Sequence, residues 1–223
     1  MSKTVLIIGA SKGIGKELID NFSKEPYKTF GFARSFAVSS SENPRLLHLD
    51  LMSSSLKEDF QTLTKDITQI DYVIYNAGTI AVKPFLELTR DDIASCYQVN
   101  IMSVFEVLQV CMPKMKKGSH IVFISSIGGF QGSVKFAGLS AYSTSKAALV
   151  SLTELLAEEY KDCGIAINCL CLGAVQTEML EQAFPGYQAP HSAKEMADFI
   201  TDFTIHSGKF LHGKIIPVSI STP

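Results

Sequence analysis

Short apolar runs recur along the chain, each followed by a longer stretch whose apolar positions return with helical spacing. The runs are TVLIIG at 4–9, KTFGFA at 28–33, RLLHLDL at 45–51, DYVIYNAG at 71–78, SHIVFISS at 119–126 and IAINCLCLG at 165–173. Nearly continuous apolar character over so few residues predicts strands buried on both faces. The helical stretches between them carry capping-box openings at Ser55-x-x-Glu58, Thr89-x-x-Asp92 and Ser192-x-x-Glu195. Strand and helix in alternation imply βαβ crossovers, hence an α/β fold: a doubly wound parallel sheet with helices on both faces, in three α/β/α layers. A last strand is expected near KFLHGKIIPVSI at 209–220. No repeat, linker or low-complexity segment interrupts the pattern, so residues 1–223 are predicted to form a single domain.

Composition narrows the function without naming it. With 46% hydrophobic and 19% charged residues and a net charge of -2, the chain suits a globular domain with a sizeable core. No run of like charges offers a footprint for nucleic acid, and KMKK at 114–117 reads as a basic helix C-terminus. MSK passes directly into TVLIIG without a signal-peptide pattern, and no 18 consecutive residues are apolar, so a soluble, cytoplasmic protein with no membrane partner is expected. Five cysteines are an odd number, and Cys169-Leu-Cys171 lacks the second pair a metal site needs. Buried thiols in a reducing compartment, and no metal, are the expectation.

In a doubly wound sheet, ligands bind beyond the carboxyl ends of the strands. The polar and glycine-rich motifs fall there: GASKGIG after the first run, Arg34-Ser35 after the second, Asp50 after the third, NAG after the fourth and SSIGG after the fifth. In the first turn, Gly9, Ser11, Lys12, Gly13, Ile14 and Gly15 lead into a helix whose free N–H groups and positive dipole end favour a pyrophosphate. A P-loop is excluded, because Glu17 follows Lys16 where Ser or Thr would hold magnesium. An acidic residue at the end of the second strand serves an NAD ribose, a basic one the 2'-phosphate of NADP. Arg34 and Ser35 stand there, with Lys12 able to approach the same phosphate, which favours NADP(H) over NAD; two solvated surface cations are the alternative.

Tyr142 and Lys146 are spaced i, i+4 on a predicted helix with small residues between them, so phenol and ammonium share one face. A nearby positive charge favours the phenolate and brings tyrosine within reach of proton transfer near neutrality. By itself the spacing is also met by ordinary surface residues.

Glycine turn, NAG, SS and YxxxK in this order resemble the short-chain dehydrogenase/reductase family, in its single-domain branch, over nearly the whole chain. The resemblance implies a Rossmann-fold oxidoreductase interconverting a carbonyl and an alcohol. It casts Tyr142 as general acid or base, with Lys146 lowering its pKa and binding the nicotinamide ribose. Ser126, in preference to Ser125, would bind the substrate oxygen, and Asn100 would hold a water in the proton relay. It further assigns Asp50 and Leu51 to the adenine, Asn76, Ala77 and Gly78 to the adenine-ribose wall, and Val175 and Thr177 to the carboxamide. Asp50 as a turn cap and Asn76 as a backbone-bonding strand end remain alternatives. A homo-oligomer, dimer or tetramer, is implied as well.

The chain departs from that family at Ile8, Tyr75 and Leu172, in a longer stretch GGFQGSVKFAGLSA between Ser126 and Tyr142 that is expected to bulge, and at its C-terminal strand. The segment 178–191, with Met179, Leu180, Phe184 and Tyr187, reads as a mobile substrate lid facing Phe130 and Phe136, and its apolar side chains point to a hydrophobic carbonyl of modest size. The leading expectation is an NADP(H)-dependent reductase or dehydrogenase with a small-molecule carbonyl or alcohol substrate. A catalytically inactive nucleotide-binding regulator of the same fold is the alternative. An epimerase or dehydratase of the longer branch lacks both its glycine spacing and its larger C-terminal region here.

Overall fold

A computed structural model of the chain describes residues 2–23, 26–36 and 45–220, leaving the two ends of the predicted single domain outside the described residues. One seven-stranded sheet, parallel throughout, forms the centre. Its strands are β1 (Lys3–Ile8), β2 (Tyr27–Ala33), β3 (Arg45–His48), β4 (Ile70–Tyr75), β5 (Met115–Ser126), β6 (Ala166–Leu172) and β9 (Ile215–Val218), in the spatial order β3-β2-β1-β4-β5-β6-β9. A short parallel pair, β7 (Val175–Gln176) and β8 (His191–Ser192), stands apart.

Strand residues alternate between two cores, as a period of two requires. Leu6, Ile8, Val73, Ile121, Phe123, Cys169 and Cys171 pack on one face of the sheet, and Val5, Ile7, Ile74, Val122, Ile124, Leu170 and Leu172 on the other. The first face is covered by α2 (Leu56–Leu63), α4 (Ser103–Cys111) and α5 (Ser140–Glu159), the second by α1 (Gly13–Phe22) and α7 (Ala193–His206). This is the doubly wound Rossmann arrangement, and apolar runs with no polar alternation are its direct consequence. Each fully buried Leu, Ile or Phe contributes about 1.5–3 kcal/mol.

The capping boxes form at Thr89 with Asp92, opening α3 (Arg90–Tyr97), and at Ser192 with Glu195, opening α7. The one expected at Ser55 does not: Ser55 donates its hydroxyl hydrogen to Asp59 Oδ2, 2.8 Å away, and caps nothing. The expected basic helix end at 114–117 is also corrected, since only Lys114 ends a helical turn and Met115–Lys117 already belong to β5. Between α3 and α4 the helix widens into a π turn over Gln98–Met102. The run Arg90–Lys114 is long and apolar enough to cross a bilayer, yet Val104, Val107, Leu108 and Cys111 within it are buried in the core. All five cysteines are free; Cys96, Cys111, Cys169 and Cys171 are buried and Cys163 is exposed.

Candidate active site

The carboxyl ends of β1, β2, β4, β5 and β6 open onto a single cleft of about 700 Å³. Its floor begins at Gly9, where φ is +85°, a left-handed conformation suited to glycine. A Cβ at Gly9 would come within 2.5 Å of the Ala77 Cα, so the first turn and the NAG segment touch backbone to backbone. Gly15 lies beneath the cleft and not on its wall, and a Cβ there would collide with the Gly9 carbonyl oxygen. Asn76 donates its amide hydrogen to that same oxygen at 2.8 Å, so its side chain supports the turn, the alternative left open above.

The N-terminus of α1 faces the cleft through Lys12, Gly13 and Ile14. Its N-cap, Lys12, is extended and provides no side-chain cap, and its first turn carries no acidic residue. Those free N–H groups, with glycine leaving room for close approach, fit a dinucleotide pyrophosphate. Ser11, exposed Arg34 and Ser35 line the same end. Asp50 and Leu51 line it too, with Asp50 Oδ1 accepting from Met52 N at 3.0 Å as a turn cap. Ala77 and Gly78 form the opposite wall. Buried Val175 lies in β7, and Thr177 caps α6 (Glu178–Ala183), its hydroxyl accepting from Leu180 N at 3.3 Å and donating to the Val175 carbonyl at 3.2 Å.

Tyr142 and Lys146 occupy the first two turns of α5 and both face the cleft. The Lys146 ammonium donates to the Ile124 carbonyl oxygen at 2.9 Å, which pins the side chain to the end of β5. Of the adjacent serines, Ser125 turns into the protein and donates to the Lys146 carbonyl oxygen at 2.9 Å, whereas Ser126 stands on the cleft wall in polar contact with the phenol. Asn100, within the π turn, is buried behind the wall: its Oδ1 accepts from Thr79 N at 2.8 Å, and its Nδ2 donates to Thr79 O at 3.0 Å and Ser145 Oγ at 2.9 Å. It ties the NAG segment to α5.

A family model described as short chain dehydrogenase matches residues 3–188. The chain belongs to the short chain dehydrogenase family. Similar relatives include the oxidoreductase UcpA of Salmonella typhimurium, 31% identical over 80% of this chain and 72% of that protein. Dehydrogenase/reductase SDR family member 6 of Xenopus laevis is 28% identical over 89% of this chain and 80% of its own. Among solved structures, a short chain dehydrogenase family protein from Francisella tularensis superposes with a TM-score of 0.85 at 22% identity, covering 98% of this chain and 97% of that one. A short chain dehydrogenase from Shigella flexneri, complexed with NADP, gives 0.84 at 24% identity, covering 96% of each. The family is one of NAD(P)-using oxidoreductases acting on small molecules.

In this member of the family, burial is the largest influence on Tyr142. Burial pushes the phenol up to about 12, with the Ser126 hydroxyl acting in the opposite direction. Burial also brings the Lys146 ammonium down to about 8, against the raising influence of Cys169 and Cys171. Desolvation disfavours both charged forms, so the phenol keeps its proton. Tyr75, one of the departures, is buried with its hydroxyl 2.6 Å from Ser103 Oγ and serves the core.

Sequence spacing missed several wall residues: Thr79, Ile80, Leu139, Ser143 and Ala174. None stands out from its neighbours by pattern, because only the meeting of separate loops places them on the cleft. The long stretch after Ser126 passes through a 3-10 turn at Ile127–Gly129 into a loop that Lys135 braces, donating to the carbonyl oxygens of Gly128 at 2.9 Å and Phe130 at 2.6 Å and to Ser133 Oγ at 2.7 Å. Among the described residues, no group of three or more His, Cys, Asp or Glu side chains is placed to hold a metal.

Proposed function

We propose that the protein is an NADP(H)-dependent oxidoreductase interconverting a carbonyl and an alcohol, with Tyr142 as the group that gives or takes the substrate proton. The carrying observation is that Tyr142, Ser126 and Lys146 converge on the cleft whose other end is the open α1 N-terminus. The dinucleotide supplies the hydride. The protein's part is to bind, to orient and to move a proton. A protonated, half-buried phenol on the cleft wall beside a serine hydroxyl suits proton donation to a carbonyl oxygen, which favours reduction. Lys146 faces the same cleft, where it would bind the nicotinamide ribose, and Asn100 and Ser125 act as positioning residues for α5.

Arg34 and Lys12, with no carboxylate at the end of β2, support NADP(H) over NAD. Asp50, Leu51, Asn76, Ala77 and Gly78 would border the adenosine, and Val175 and Thr177 the carboxamide. Segment 178–191 is assigned as the lid, residues 1–223 as one domain, and a cytoplasmic homo-oligomer without nucleic-acid or membrane partners as the working form. Titration of NADPH and NADH into the protein, followed by a panel of aldehydes and ketones, tests the assignment. NADPH binding with oxidation of the cofactor on carbonyl addition is expected. Tight binding without any turnover would leave the nucleotide-binding regulator.

A further inference from the structure

The cleft is divided by charge. Among the described residues its ionisable Lys, Arg, Asp and Glu side chains are Lys12, Arg34, Asp50, Lys146 and Glu178. Lys12, Arg34 and Asp50 stand at the ends of β1, β2 and β3, Glu178 adjoins the first turn next to Gly13, and Lys146 is buried with its ammonium on the Ile124 carbonyl. Past Tyr142 the walls come from the 127–139 loop and from α6 with the chain after it, and carry Phe136, Leu139, Met179, Leu180, Phe184 and Tyr187. None of these bears a charge.

Two cations adjoin this end by chain or contact, and both are committed elsewhere. Lys135 spends its ammonium on the Gly128 and Phe130 carbonyls and Ser133 Oγ, inside its own loop. Lys83, whose backbone bonds Gly138, holds its ammonium on Asp92 at 2.7 Å. Phe136 and Phe184 meet edge to face, ring centroids 5.2 Å apart, so the two walls join through aromatic rings. An anionic group brought here would lose its hydration and gain no charged partner, whereas an apolar ring would gain contact with the aromatic and aliphatic side chains of this wall.

Resting on the carbonyl/alcohol reading above, we propose that the substrates are uncharged carbonyl compounds bearing an aromatic or alicyclic ring, packed against the joined Phe136–Phe184 pair and the apolar wall beside it, and that carboxylated or phosphorylated carbonyls are rejected.

The test pairs methyl para-acetylbenzoate with para-acetylbenzoate, the same aryl ketone carrying a neutral ester or a carboxylate. In the presence of NADPH the ester is expected to be reduced with kcat/KM at least about a hundredfold above the acid. Calorimetric titration of each into the NADPH-loaded protein gives the same ordering from binding alone. Ester-selective binding without turnover would overturn the oxidoreductase reading and leave this one standing. Equal use or equal binding of the two, preference for the acid, or binding of neither would overturn it. Phe184→Arg is expected to shift the ratio toward the acid by roughly tenfold or more, and Leu180→Arg repeats the measurement should the first variant fail to fold; an unmoved ratio in a folded variant would also overturn it.

Discussion

The Lys146 ammonium lies 6.0 Å from the centroid of the half-buried Tyr142 ring, one helical turn along α5. The ammonium is held by the end of β5 through Ile124, and the phenol stands beside Ser126 on the cleft wall. The spacing of the two residues thus translates into two groups aimed at one cleft from a rigid helix, each oriented by a different part of the strand beneath.

Tyr142→Phe keeps the ring that fills this space and removes the transferable proton. Turnover is expected to fall by about 10²–10⁴-fold while NADPH affinity stays within a few-fold of the parent. Cofactor titration by fluorescence alongside steady-state rates checks both halves. Undiminished turnover would remove the phenol from the chemistry.

Arg34 is exposed at the carboxyl end of β2, on the cleft. Arg34→Asp exchanges the cation proposed to meet the 2'-phosphate for a carboxylate suited to a free ribose hydroxyl. NADPH should bind about ten- to hundredfold more weakly, with NADH gaining relative to it. If the ratio of the two dissociation constants does not move, the 2'-phosphate is held elsewhere.

Gly15 lets α1 start against the Gly9 carbonyl, and even a methyl group cannot be fitted between them without backbone movement. Gly15→Ala should destabilise the protein by about 1–3 kcal/mol and displace the first turn. Urea denaturation and NADPH titration on the variant are the measurements; a variant with parental stability and affinity would show that the turn does not depend on this packing.

His120 lies at the far end of the sheet, buried between β6 and α7. Its Nδ1 is 3.0 Å from the Thr204 carbonyl oxygen, which requires a donor, and its Nε2 is 2.9 Å from Asn168 Nδ2, which requires an acceptor. Those partners specify the neutral ring. Burial, reinforced by His212 and opposed by the Thr204 bond, lowers its pKa from 6.5 to about 4. Between those values the unfolded chain binds a proton that the folded one does not, so stability falls as pH falls from 6.5 to 4 and levels off below. The loss attributable to this residue is roughly 3 kcal/mol. Urea midpoints of parent and His120→Gln between pH 7 and pH 4 should differ in slope; parallel profiles would contradict the assignment.

Sequence alone determined the layer order and the strand ends. Apolar runs without alternation can only be strands covered on both faces, and parallel strands so covered place their loops, and hence GASKGIG, NAG and YxxxK, on one edge. The capping boxes at Thr89 and Ser192 were legible for the same reason: they depend on residues three apart. Tertiary structure alone decided that the Ser125 hydroxyl turns onto the Lys146 carbonyl, that Asn100 and Gly15 sit behind the wall, and that burial is the largest influence on Tyr142. It also decided that Phe136 and Phe184, 48 positions apart, join across the cleft. Spacing rules reach one helical turn or one strand repeat, whereas desolvation and wall contacts sum over every element that happens to pack nearby.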